Sequence, residues 1–166
     1  MTGQTTLDVA DFAALIAPAL DASRRRLIGI DLGTKTIGLA LSDVTRIVAT
    51  PLETIRRTKF KADAARLREL VDSHAVAGLV LGFPVNLDGS EGPRVQATRA
   101  FARNINALIP VPILLWDERL STAAAERTLI EADTSRRRRA DLIDKVAATI
   151  ILQTALDRMR VGRRAD

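Results

Sequence analysis

Three strand-like runs follow one another closely, at Leu27 to Asp31, Ile37 to Leu41 and Ile47 to Thr54, with links too short to hold a helix. Gly33-Thr34-Lys35 makes a tight turn between the first two, and Ser42-Asp43 opens the second turn. Links this short pair strands antiparallel. The pattern then changes. Leu67, Leu70 and Val71 give helical spacing to 62–73, and Val76 to Leu81 is an apolar strand. A loop rich in Gly, Pro, Asn and Asp fills 82–92, and Pro93 suits the first turn of a helix running to about Leu108. A strand from Val111 to Trp116 precedes a helix over Ser121 to Ala132, entered through Ser-Thr caps. After a break at Asp133-Thr134-Ser135, the last helix covers about Arg137 to Arg160. A meander followed by βαβ units requires a mixed sheet, so the expected architecture is α/β, with five strands and helices on both faces. Sites in such sheets gather at the carboxyl ends of the parallel strands.

With 166 residues, a single domain able to bury its own core is the natural reading, and 26–160 holds all of the regular pattern. Residues 1–25 read as an N-terminal extension, in which Leu7 to Ala17 is a candidate amphipathic helix ended by Pro18. Residues 161–166 read as a C-terminal tail. With one Trp, no Tyr and four Phe, the core must be aliphatic, and base-stacking platforms of the RNA-binding kind are not expected. The absence of cysteine excludes disulfides and thiolate zinc sites and fits a cytoplasmic protein. No apolar run reaches membrane-spanning length, and the opening residues lack the basic start of a signal peptide.

The formal charge is +5, with basic clusters at Arg24-Arg25-Arg26, Arg56-Arg57-Thr58-Lys59-Phe60-Lys61 and Arg136 to Arg139. Clustered arginine suits phosphate, because the planar guanidinium matches phosphate oxygens. Within this basic chain, acidic residues stand where a purely structural sequence would avoid them. Asp31 shares a strand face with Leu27 and Gly29, where a charge is costly unless a metal or hydrogen bonds compensate it. Its structural alternative is an Asx turn into Gly33. Asp117 and Glu118 follow the apolar run ending at Trp116, and one strand cannot aim both at the same face. Spacing alone does not choose between them. Asp144 lies on the helix face of Ala140, Ala147, Ala148, Ile151 and Ala155, so its carboxylate faces inward, either toward a metal or toward a salt-bridge partner. A cluster of the three would suit magnesium or manganese acting on a phosphodiester.

Arg136 to Arg139 sit at the start of that helix, where positive charge opposes the helix dipole and an external anion would explain it. The loop bearing Asn86 and Ser90 runs into a helix N-terminus, so both are candidate substrate contacts or turn-shaping residues. Lys35 could reach a phosphate from the first turn. His74 reads as a helix-terminal residue, which leaves no support for a Ser-His-Asp triad.

Four segments, GIDLGTKTIGLALSD, LGFPVNLDGSEGPR, DERLST and LIDKVAATIILQ, in this order and spacing, resemble the YqgF/RuvX family of ribonuclease H-like proteins. The resemblance covers about residues 26 to 160. The first segment alone also resembles the phosphate loop of actin-like ATPases, but those need two domains closing on ATP, and this chain is too short for both. The resemblance implies a ribonuclease H-like fold. It implies Asp31, Glu118 and Asp144 as catalytic, metal-binding carboxylates, with Mg2+ or Mn2+ as cofactor and Asp31 shared between two ions. Lys35, Asn86, Ser90, Arg119, Arg136, Arg137 and Arg138 are the candidate substrate contacts. The family is associated with maturation of pre-16S ribosomal RNA and with resolution of Holliday junctions. The expected activity is therefore a metal-dependent endonuclease, with pre-rRNA processing placed ahead of branched DNA and a non-catalytic RNA-binding role as a third reading. The expected partners are nucleic acid and ribosomal particles, with no membrane, for a monomer or weak dimer.

Overall fold

The computed structural model describes residues 8–17, 23–120 and 136–164. Its elements are α1 (Val9–Ile16), β1 (Arg26–Leu32), β2 (Thr36–Ser42), β3 (Ala49–Arg56), α2 (Phe60–Ser73), β4 (Val76–Phe83), α3 (Pro93–Leu108), β5 (Ile113–Asp117), a 3₁₀ turn (Glu118–Leu120) and α4 (Arg136–Arg164). The helix expected over Ser121 to Ala132 lies outside the described residues. The five strands form one sheet in the order β3-β2-β1-β4-β5. β1 pairs antiparallel with β2 and parallel with β4, and β4 pairs parallel with β5, which gives the mixed sheet expected from the sequence.

Alternation along the strands divides the core in two. Ile28 and Ile30 of β1, with Leu39, Leu79, Leu81 and Ile113, pack against Leu67 and Leu70 of α2 and Phe101 and Ile105 of α3. On the other face, Leu27, Ala40, Val80, Leu114 and Trp116 pack against Ala147, Ala148, Ile151 and Ala155 of α4. The small residues on α4 bring its axis close to the sheet, as the alanine stripe in the sequence implies.

α1 belongs to this second core. Asp8 caps it by accepting the N–H of Asp11 at 2.8 Å, and Phe12 and Ile16 are fully buried in the same cluster as α4. The buried Arg46 guanidinium donates to the carbonyls of Ile16 and Arg25, tying the end of α1 and the start of β1 to the β2–β3 turn. His74 stands at the C-terminal end of α2, where its N–H donates to the carbonyl of Leu70 at 3.0 Å. α4 continues through Arg164, past the point where the sequence reading begins its tail.

Candidate active site

The sheet carries a row of residues, Gly38–Asp31–Gly82, across β2, β1 and β4. Asp31 pairs directly with Gly38, and the register in which Ile30 faces Leu81 places Gly82 on the other side of Asp31. Asp31 points to the α4 face, as its alternation with Leu27 requires, and is 5% exposed.

Both glycines make room for an acidic residue. A Cβ on Gly38 would collide with the backbone carbonyl of Asp144, so α4 rests directly on β2 at that point. A Cβ on Gly82 would stand 2.7 Å from Glu118 Oε1 and 2.7 Å from Ile151 Cδ1, so the Glu118 side chain crosses β4 where a larger residue would block it. Glycine inside a strand marks such close approaches. Asp31 therefore lies between Asp144 on one side and Glu118 on the other.

Asp31 and Asp144 share a cleft of about 280 Å³, lined also by Gly33, Thr34, Lys35, Thr36, Arg94 and Ile143. Thr36 Oγ1 donates a hydrogen bond to Asp144 Oδ2, which orients that carboxylate. Glu118 is not among the residues lining the cleft, since it approaches from the next strand. No three His, Cys, Asp or Glu side chains among the described residues already stand together at metal-ligand spacing. A larger groove, about 740 Å³, lies between α1 and the C-terminal part of α4, but its lining is mostly apolar and holds no convergent carboxylates.

Asp117 takes a different direction from Glu118. Its carboxylate accepts the backbone N–H of Arg119 at 2.9 Å and forms a bidentate pair with the Arg119 guanidinium, the shorter contact 2.7 Å. Hydrogen bonding from Arg119 holds the Asp117 carboxyl below its usual range, against the opposing effect of burial. The two adjacent acids thus divide their work: Asp117 fixes the turn, and Glu118 lies over Gly82.

The family model for RuvX, described as a Holliday junction resolvase, matches residues 25–158, which spans the sheet and every acidic residue of the site. This chain belongs to the RuvX family. A relative from Methylocella silvestris, named "Putative pre-16S rRNA nuclease", is 60% identical over 93% of this chain and 92% of its own length. A relative of the same name from Paracoccus denitrificans is 67% identical over 83% of this chain and 87% of its own. Among solved structures, RuvC of Thermus thermophilus in complex with a Holliday junction substrate superposes with a TM-score of 0.52 at 14% identity, over 82% of this chain and 97% of that one. At that identity the match speaks for the fold alone, which is ribonuclease H-like.

The other candidate contacts of this RuvX family member are distributed unevenly. Lys35 lines the cleft. Asn86 and Ser90 meet each other: Asn86 Nδ2 donates to Ser90 Oγ at 3.0 Å, and Ser90 Oγ donates to Asp88 Oδ1 at 2.6 Å. Together they hold the loop between β4 and α3. Arg119 rests on Asp117 and comes near Gly89 of that loop. Arg136, Arg137 and Arg138 form the first turn of α4, and their side chains lie outside the description.

Besides Thr36, three residues at this site escape the sequence reading. Arg94 lines the cleft, and Gly38 and Gly82 shape it. Signals for all three exist in the sequence. Arg94 is a cation in the first turn of a helix, the same dipole-opposing placement that marks Arg136 to Arg139. Gly38 and Gly82 are glycines inside apolar strands.

Proposed function

We propose that this chain is a divalent-metal-dependent endonuclease that hydrolyses phosphodiesters, acting at the 5′ end of pre-16S ribosomal RNA in the cytoplasm. The observation that carries this reading is the position of Asp31 between Asp144 and Glu118 across the glycine-bordered row. The relatives named for pre-16S rRNA support the substrate.

The donor set consists of carboxylate oxygens, which suits Mg2+ or Mn2+ and not a soft metal. Bound ions would supply a hydroxide nucleophile at neutral pH and offset charge on the leaving oxygen. Asp31, the central carboxylate and held in a strand, would be the first residue to hold a bound ion. Asp144, oriented by Thr36, would add a second carboxylate from α4. Glu118 would add a third from the end of β5, the turn around it held by Asp117. Lys35 binds substrate phosphate beside the cleft, and Asn86, Ser90, Arg119 and Arg136 to Arg138 form the wider contact surface. Contacts to the backbone give affinity and register with little sequence information.

Junction resolution is the second reading, favoured by the description of the family model. It requires two sites related by symmetry and hence a dimer on the substrate. Incubation with Mn2+ or Mg2+ and two substrates, an RNA spanning the immature 5′ end of 16S rRNA and a mobile four-way DNA junction, separates them. RNA cleavage by a monomer is the expected result. Paired symmetric nicks in the junction with intact RNA would overturn it.

A further inference from the structure

Several arginines of the described structure are neutralised within the protein. Arg24 pairs with Asp72, Arg66 with Glu53 and Glu69, Arg99 with Glu91, Arg119 with Asp117, and Arg160 with Asp157. Arg94 differs. Among the described residues its guanidinium makes one hydrogen bond, from Nη2 to the carbonyl of Leu32 at 3.3 Å, and no ion pair. Yet it lines the cleft that holds Asp31 and Asp144.

The route by which it arrives there is informative. Arg94 is the second residue of α3, a helix packed on the sheet face opposite α4. Its exposed side chain reaches the carboxyl end of β1, and the Leu32 bond anchors it one residue beyond Asp31. Lys35 enters the same cleft from the β1–β2 turn. A guanidinium held by one carbonyl keeps most of its five donors for another acceptor. Among the described residues, Arg94 forms no ion pair with the Asp31 or Asp144 carboxylate beside it. An oxyanion entering the cleft would meet both cations at once.

We propose that Arg94 is a phosphate-binding residue of this site, gripping a backbone phosphate of the nucleic acid at the cleft while Lys35 closes on it from the turn. The proposal deepens the nuclease reading and rests on it for the identity of the anion. The planar fork makes the contact bidentate, which lysine cannot reproduce.

The test uses the full chain carrying Asp31→Asn, so that RNA stays intact, with Arg94→Ala, Arg94→Gln or Arg94→Lys added. Binding of a 5′-labelled single-stranded RNA is followed by fluorescence anisotropy over a salt series. Arg94→Ala and Arg94→Gln are expected to weaken binding about tenfold. Each should also reduce the salt slope by about 0.7, the loss of one phosphate contact on a single strand. Arg94→Lys should keep the slope and lose affinity. Gln retains a donor for the Leu32 carbonyl, so it separates charge from any tethering of α3. Affinity and slope equal to the parent for Arg94→Gln, at unchanged Tm, would overturn the proposal. Cleavage by the chain with Asp31 intact tests the nuclease reading separately. RNA that is bound with an Arg94-dependent slope but never cut would count against that reading and leave the Arg94 result standing.

Discussion

Asp31 and Gly38 are direct cross-strand partners, and the missing side chain of Gly38 is what allows the α4 backbone at Asp144 to rest on the sheet beside Asp31. The approach of the second carboxylate to the first is thus set by a backbone contact, which cannot yield as a flexible side chain can.

Gly38→Ala should therefore be costly. The added methyl meets the Asp144 carbonyl, and overpacking of this kind destabilises by about 1–3 kcal/mol. It should also push Asp144 away from Asp31 and remove cleavage. Gly162→Ala serves as the control, since its Cβ would find nothing within 4 Å and alanine favours the helix. Urea unfolding should show a loss for the first variant and no loss for the second.

Arg46 is buried, sits at φ 58° and donates to the carbonyls of Ile16 and Arg25. Arg46→Ala strands the buried Ile16 carbonyl, at about 1–3 kcal/mol, and removes the tie to the partly buried Arg25 carbonyl. Amide hydrogen exchange should show α1 opening well below the global unfolding free energy in the variant. Protection of α1 equal to the parent's would contradict this account of how the N-terminal segment is held.

Asp43 organises the turn between β2 and β3. Burial pushes its pKa upward, but hydrogen bonds from the Thr45 hydroxyl and the N–H groups of Val48 and Ile47 outweigh this and lower it to about 2 from 3.8. A depressed carboxylate stabilises the fold above its unfolded pKa and loses that contribution as pH falls through the folded value. Asp43→Asn should be less stable than the parent at neutral pH, with the gap closing between about pH 4 and pH 2. Urea midpoints across that window give the check, and a constant gap would refute it.

Asp117 accepts the Arg119 N–H and so fixes the backbone around Glu118. Asp117→Ala should lower kcat by about tenfold or more through misplacement of Glu118, with KM little changed. Asp117→Asn keeps an acceptor for that N–H and should fall between. An unchanged kcat in Asp117→Ala would contradict the positioning of Glu118 by Asp117.

Much of this architecture is legible in the sequence because local rules agree with the fold. β1 alternates Leu27, Gly29 and Asp31 on one face with Ile28 and Ile30 on the other, and Asp144 falls on the alanine face that α4 buries. The third strand is less legible. Ile47 and Val48 look like strand residues, but their N–H groups go to the Asp43 side chain, so β3 begins at Ala49. The burial of Phe12 and Ile16 depends on α4 and Gly78, far along the chain, so the amphipathic pattern of 7–17 does not say what that face packs against. The choice between Asp117 and Glu118 turns on which side chain finds Arg119 and which finds the space over Gly82, and strand parity carries neither fact. Arg94 escapes notice for a related reason. Its meaning comes from a cleft shared with residues on β1, the following turn and α4.

The most direct test compares cleavage and binding of the pre-16S RNA by the parent chain and Asp31→Asn in Mn2+ or Mg2+. The account predicts cleavage by the parent, none by Asp31→Asn, and RNA binding retained by both. Metal-dependent cleavage by Asp31→Asn at the parent's rate would contradict the central role given to Asp31.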